Sequence, residues 1–253
     1  MCHVCIDLDL PRSRAKYSVR NAIREFAGNR PPRPVRDYAA AAGGGLRTRM
    51  AVLTGKRWKP GRTLKIAFLD GDTTVQARVA DIARIWLRHA NLKFDFGDHD
   101  RAEIRISFRG PGNSSHIGTD ALGVSRSKAT MTLAGLTPET KDEEYHRAVL
   151  HEFGHVLGCI HEHQHPENGI PWRKEPIYAF YAGPPMRWSR EKTDRNFFQR
   201  YARSETNFGA FDETSIMMYG FPAEWTENGF ATRRNTMLSP GDIAFIGSVY
   251  PFD

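Results

Sequence analysis

His151-Glu152-Phe153-Gly154-His155-Val156-Leu157-Gly158-Cys159-Ile160-His161 is the stretch on which the fold and chemistry of this chain turn. An α-helix advances about 100° per residue, so residues four apart lie within roughly 40° of one face. His151 and His155 are spaced in that way, and two neutral imidazoles on one face can bind a single ion. Glu152 projects toward the same side, close enough to reach a water on that ion without ligating it. Gly158 can take a left-handed conformation and stop the helix. The chain then turns back and brings His161 to the same ion. Three nitrogens with a fourth position left open are the donor set of a catalytic zinc. A surface helix with scattered histidines produces His-Glu-x-x-His by chance, but not Gly158 and His161 at their spacing as well.

Working outward toward the N-terminus, Leu64-Lys-Ile-Ala-Phe-Leu69 reads as a strand, turned by Asp70-Gly-Asp72. Thr73 with Gln76 forms a plausible capping box. Val75, Val79, Ile82, Trp86 and Ala90 then follow at helical spacing, with Arg78, Asp81, Arg84 and Arg88 opposite. Leu92–Phe96 and Ile104–Phe108 alternate as half-buried strands do, and Met131-Thr-Leu133 is a shorter candidate. Thr137-Pro138 is expected to start the helix that carries the histidines. Beyond His161 the chain is rich in Pro, Gly, Trp and Tyr, with a helix expected near 189–203. Ser239-Pro-Gly-Asp242 opens a last helix through Ile243, Ile246 and Val249, ended before Pro251. The plan is α+β: a twisted mixed sheet with an active-site helix, then an irregular C-terminal lobe ending in a helix.

The eleven-residue string resembles the His-Glu-x-x-His-x-x-Gly-x-x-His motif of the metzincin metallopeptidases. Ser215-Ile-Met-Met-Tyr219 is similar to the methionine turn of that family, with Met217 as the turn methionine. Glu162 and Tyr219 resemble the astacins, and the likeness runs from Trp58 to Tyr250. The disulfide cysteines of that family are absent, Cys159 stands where an aromatic is usual, and Met218 replaces a histidine. The resemblance implies a two-lobed zinc endopeptidase. One Zn2+ would be held by His151, His155 and His161. Glu152 would be the general base and Tyr219 a donor to the developing oxyanion. Gly158, Glu162 and Met217 would be structural residues near the site. It also implies a five-stranded sheet whose edge strand, expected near 129–134, binds an extended substrate.

The charge is uneven. Residues 1–65 hold 15 Lys and Arg against 4 Asp and Glu, while the rest holds 21 against 25. With the Pro- and Arg-rich run 29–36 and Ala39-Ala-Ala-Ala-Gly-Gly-Gly45, this divides the chain into a basic extension, residues 1–57, and a catalytic domain, residues 58–253. A short amphipathic helix is possible within the extension near 19–26. The extension reads as a solvated arm, a linker or a pro-segment. Related peptidases are commonly held latent by a cysteine or aspartate placed on the zinc, and Cys2, Cys5, Asp7, Asp9 and Asp37 are the candidates here. Cys2-His3-Val4-Cys5 has a metal-like spacing but no second pair to complete a site.

His89, His99, His116 and His146 read as structural or surface residues, whereas His163 and His165 lie beside the site. Three cysteines argue against a disulfide framework, and no run approaches the roughly 18 apolar residues of a membrane span. The N-terminus shows no basic and apolar pattern of a secretory signal; the expectation is secretion or delivery outside the cell, with a signal already removed or another export route used, and otherwise a cytoplasmic location before export. The expected partner is a protein or peptide substrate, acted on by a monomer. The arm lacks the interleaved aromatics of a nucleic-acid-binding module. The rival outside enzymes is a zinc-retaining binding protein without turnover, against which Glu152 stands.

Overall fold

Alternation along the strands fixes which face of the sheet is inside. The computed structural model describes residues 5–8, 10–30, 50–53, 55–184, 186–201 and 206–252. In chain order its principal elements are β1 (Cys5–Asp7), α1 (Ala15–Glu25), β2 (Ala51–Leu53), β3 (Thr63–Phe68), α2 (Thr73–Ala83), β4 (Lys93–Phe96), β5 (Ile104–Ser107), β6 (Asn113–Ser115), β7 (Met131–Thr132), α3 (Asp142–Val156), α4 (Lys174–Ala182), α5 (Arg190–Thr193), β8 (Thr206–Phe208) and α6 (Pro240–Val249).

Leu64 and Ile66 of β3 point inward while Thr63 and Lys65 are exposed. They meet Val75, Val79 and Ile82 of α2 and Val149, Leu150 and Phe153 of α3 in one core, which α6 closes with Phe245, Ile246 and Val249. Full burial of an aliphatic side chain of this size contributes about 1.5–3 kcal/mol. The second lobe has its own, largely aromatic cluster around Tyr181, Trp188, Phe197 and Trp225.

The six-stranded sheet has the order β1-β6-β7-β5-β3-β4. Strands β4, β3, β5 and β7 run parallel, β6 is antiparallel to β7, and β1 lies parallel to β6. Five of these strands lie within the stretch that resembles the metzincins, and the sixth comes from the N-terminal extension. The expected substrate edge near 129–134 is corrected by this order: β7 is internal, and β6, a short polar strand with no alternation to announce it, stands between it and the edge.

Three local expectations also change. The N-cap of α2 is Asp72, whose carboxylate accepts from the amides of Thr74 and Val75 at 2.7 and 3.3 Å; Gln76 instead donates to the carbonyls of Asp70 and Gly71. Helix α3 begins at Asp142, because Thr137 and Thr140 close a turn on each other. Asp142, Glu143 and Glu144 fill the first helical turn, where the helix dipole favours anions. The helix expected near 189–203 is short: α5 passes into a π-helical turn at Asp194–Phe198 and stops.

In the N-terminal extension, α1 forms as the amphipathic pattern suggests. It docks through Ser18 on the buried Asp120, which also pairs with Lys56, while Arg14 donates to the Gly123 carbonyl. Strand β2 pairs antiparallel with β8 and bridges to Cys159. The expected linker 39–45 and the candidate ligands Cys2, Asp9 and Asp37 lie outside the described residues. Among the described residues no helix is long and apolar enough to cross a membrane.

Candidate metal centre

Helix α3 presents His151, Glu152 and His155 from its last two turns, all of them buried. Gly158 then reverses the chain at φ +96°. A Cβ there would be strained by that backbone and would meet Val52 at 3.3 Å, so glycine is what this turn requires. Three residues later His161 returns to the helix, and its Nε2 stands 3.1 Å from Nε2 of His155.

The outer nitrogens fix the tautomers. His151 Nδ1 lies 2.8 Å from the Ile216 carbonyl, and His155 Nδ1 lies 2.8 Å from the Cys159 carbonyl. A carbonyl can only accept, so both Nδ1 atoms carry the proton and both Nε2 lone pairs face inward. The Nε2 of His151 is buried without a hydrogen-bond partner. Burial, reinforced by His155 and His161, pushes the His151 imidazole well below its ordinary pKa. It is therefore neutral, as a ligand must be.

A fourth donor completes the cluster, and it comes from the far end of the chain. Cys5 Sγ lies 3.4 Å from His155 Nε2. The ligand atoms of Cys5, His151, His155 and His161 all fall within 4.8 Å of one another. Zinc bonds of about 2.0–2.1 Å to nitrogen and 2.3 Å to sulfur, arranged tetrahedrally, require N···N near 3.3 Å and N···S near 3.6 Å. The observed 3.1 and 3.4 Å approach those edges, so these residues fit a four-coordinate zinc. The extension near Cys5 is thus a strand whose thiol joins the histidines. No neighbouring Cys-x-x-C pair is needed, because the partners are 146 residues or more away.

The expected supporting residues also gather here. Met217 packs directly under α3: a Cβ on Gly154 would fall 2.3 Å from its Sδ. The Glu162 amide donates to the Met217 carbonyl at 3.0 Å. The Glu162 carboxylate accepts from the Asp212 amide at 2.8 Å, and burial raises its pKa well above the usual range. The ring of Tyr219 lies 4.4 Å, centroid to centroid, from both His161 and His163, and its hydroxyl donates to the Cys5 carbonyl.

His163 and His165 are buried, His163 stacking on His161 and Tyr219. Cys159 is a buried small residue whose thiol faces Met50. Gly154 escapes sequence reading, because its role depends on Met217 arriving from elsewhere. Arg147 escapes it too: it grips Glu144 and lines the pocket beside Cys5, His151 and Tyr219.

No protein-family model matches the chain. Tolloid-like protein 1 of Mus musculus is 27% identical over 178 residues, which are 66% of this chain and 16% of that protein, so the chain spans only a small part of this relative. Among solved structures, one of myroilysin superposes with a TM-score of 0.78 at 39% identity, covering 80% of this chain and 99% of that one. A second myroilysin structure gives 0.62 at 38% identity, covering 78% and 86%. High choriolytic enzyme 1, a hatching enzyme zinc-protease from Oryzias latipes (Medaka fish), shares the fold at 18% identity and a TM-score of 0.52, over 78% of this chain and 95% of that one. With this identity across nearly the whole of myroilysin, the α+β architecture and the convergent histidines, the chain belongs to the astacin-like family of metzincin metalloproteases.

Proposed function

We propose that the chain is a zinc-dependent endopeptidase whose metal is held by His151, His155 and His161, closed in the present arrangement by Cys5. The observation that carries this is the convergence of four ligand atoms within 4.8 Å, one from the N-terminal strand and three from α3 and the turn after it. When bound, zinc supplies Lewis acidity that polarises a carbonyl and acidifies a water. Glu152, buried beside His151 on α3, is the base that takes the proton from the attacking water and passes it to the leaving amine. Tyr219 is the donor for the oxyanion, and Met217 is the floor beneath the histidines. An extended peptide substrate would lie along β6, the edge that β1 now covers.

That coverage supports a latent form. Three features act together: the Cys5 thiol at the fourth ligand position, the Tyr219 hydroxyl engaged by the Cys5 carbonyl, and β1 on the sheet edge. Division into an N-terminal extension, 1–57, and a catalytic domain, 58–253, belongs to this proposal, as do a monomeric state and action outside the cell. Digestion of a diverse peptide library, before and after removal of the extension by limited proteolysis, tests the function. Internal cleavage that a chelator abolishes and zinc restores is the expected result. Absence of cleavage by the zinc-loaded, shortened enzyme contradicts it.

A further inference from the structure

Asp242 is the third residue of α6, and its backbone and side chain complete a capping box with Ser239. A cap alone needs only the Ser239 amide and hydroxyl, and it can sit in solvent. This carboxylate is fully buried and takes two more donors from a different part of the chain. One oxygen accepts from the Ser215 hydroxyl at 2.7 Å. The other accepts from the Ile216 amide at 2.8 Å and from the Ser239 amide at 3.0 Å. Ser215 Oγ in turn accepts from the Met217 amide at 3.0 Å. Two successive amides of the methionine turn are therefore tied to one carboxylate, directly or through one hydroxyl.

The residue so held, Ile216, has its carbonyl on the imidazole of His151, 2.8 Å from Nδ1. That contact sets the tautomer and the ring plane of the ligand. Burying a carboxylate costs stability unless every oxygen is satisfied, and the raised Asp242 pKa of about 6, caused by burial, shows that the cost is only partly offset. A hydrophobic residue at this helix end would avoid it. Three protein donors aimed at a buried anion are what fixing the turn requires.

We propose that Asp242 is a positioning residue for the metal centre, orienting His151 through the Ile216 peptide. The proposal rests on the zinc reading above. The last helix is then part of the scaffold of the ligands as well as of the core.

The experiment compares the full chain with Asp242→Asn and with Val249→Ala. Val249 is a core residue of the same helix, remote from the carboxylate in sequence and packed among apolar side chains. Zinc affinity is read by competition with a fluorescent chelator, ligand geometry by the visible spectrum of the cobalt-substituted protein, and folding by Tm. An amide at 242 turns an NH2 toward donors that need acceptors. Asp242→Asn is expected to weaken zinc by about 10–100-fold and to shift the cobalt bands. Val249→Ala should lower Tm while zinc affinity and spectrum stay near the parent values. Zinc affinity that follows Tm alike in both variants, or that Asp242→Asn leaves unchanged, overturns the proposal. If Asp242→Asn does not fold, Ser215→Ala removes one of the two ties; a smaller loss of zinc affinity with shifted cobalt bands supports the proposal, and parent-like values overturn it. A parent chain that binds no zinc overturns the reading beneath it.

Discussion

At position 154 the missing side chain lets Met217 lie against α3, with no room for one carbon more. Gly154→Ala must displace the Met217 thioether from its seat against α3. Overpacking of this kind costs about 1–3 kcal/mol. The variant should therefore melt earlier and lose zinc faster on dialysis, as thermal denaturation and metal analysis will read. Glu152→Gln is the opposite case. The amide keeps shape and burial but cannot take a proton from water, so cleavage should fall by roughly 10²–10⁴-fold while zinc content and Tm hold. Near-parental cleavage would remove Glu152 from the role of base. Both residues stand in one motif, yet the motif singles out only Glu152. The spacing of His151, Glu152, His155 and His161 is local helical geometry, and a sequence states local geometry directly. Gly154 acquires its meaning from a methionine 63 residues later.

At the scale of elements, period and punctuation carried most of what could be read. The apolar series through α2 and the Ser239 start of α6 hold in the structure. Helix α3 starts later than Thr137-Pro138 suggests, because Thr137 and Thr140 look like a helix cap in sequence but close a turn on each other in the structure. Strands β1, β2, β6 and β8 were not legible. Each is three residues long and gains its hydrogen bonds from a partner strand, with no internal pattern to show it. For the same reason Cys5 was only one of five candidate blocking ligands: choosing among them requires the register Cys5 to Asn113 on β6. That register also says what Cys5→Ala will do. The thiol leaves the centre, but the carbonyl that holds Tyr219 and the pairing with β6 are main-chain features and stay. The full-length variant should cleave a short peptide faster than the parent and slower than enzyme from which the extension has been removed. A rate equal to the parent would mean that the thiol plays no part in latency.

At the scale of the whole molecule, charge and burial set how the fold answers to pH. His116 leads from β6 toward the loop that α1 covers, facing Asp120, Lys56 and Arg105, with a hydrogen bond to the Leu8 backbone. Burial lowers its pKa to about 4, against about 6.5 in an unfolded chain. The unfolded state thus takes up the proton first, and stability is lost as pH falls from about 6.5 toward 4. Asp242 works in the opposite sense: its pKa is raised to about 6 by burial, so acidification through that value favours the folded state. The two nearly offset, and only a difference separates them. His116→Asn should gain on the parent by up to about 3 kcal/mol between pH 6.5 and 4, measured by denaturant unfolding at each pH. A constant gap would show that His116 titrates normally.

The uneven charge of the sequence sets residues 1–65 apart in composition, but it does not announce how the N-terminal strand and helix dock. The described contacts are strand pairing, buried polar groups and the Cys5 thiol, with the Lys56 and Asp120 pair among them. In the proposed centre one sulfur from the N-terminal strand would join three nitrogens from α3 and the turn that follows it. X-ray absorption at the zinc edge of the full-length protein measures that directly. One zinc per chain with three nitrogen neighbours at about 2.0–2.1 Å and one sulfur at about 2.3 Å is the expected result. A shell of nitrogen and oxygen with no sulfur would contradict closure by Cys5, and fewer than three imidazoles would contradict the centre itself.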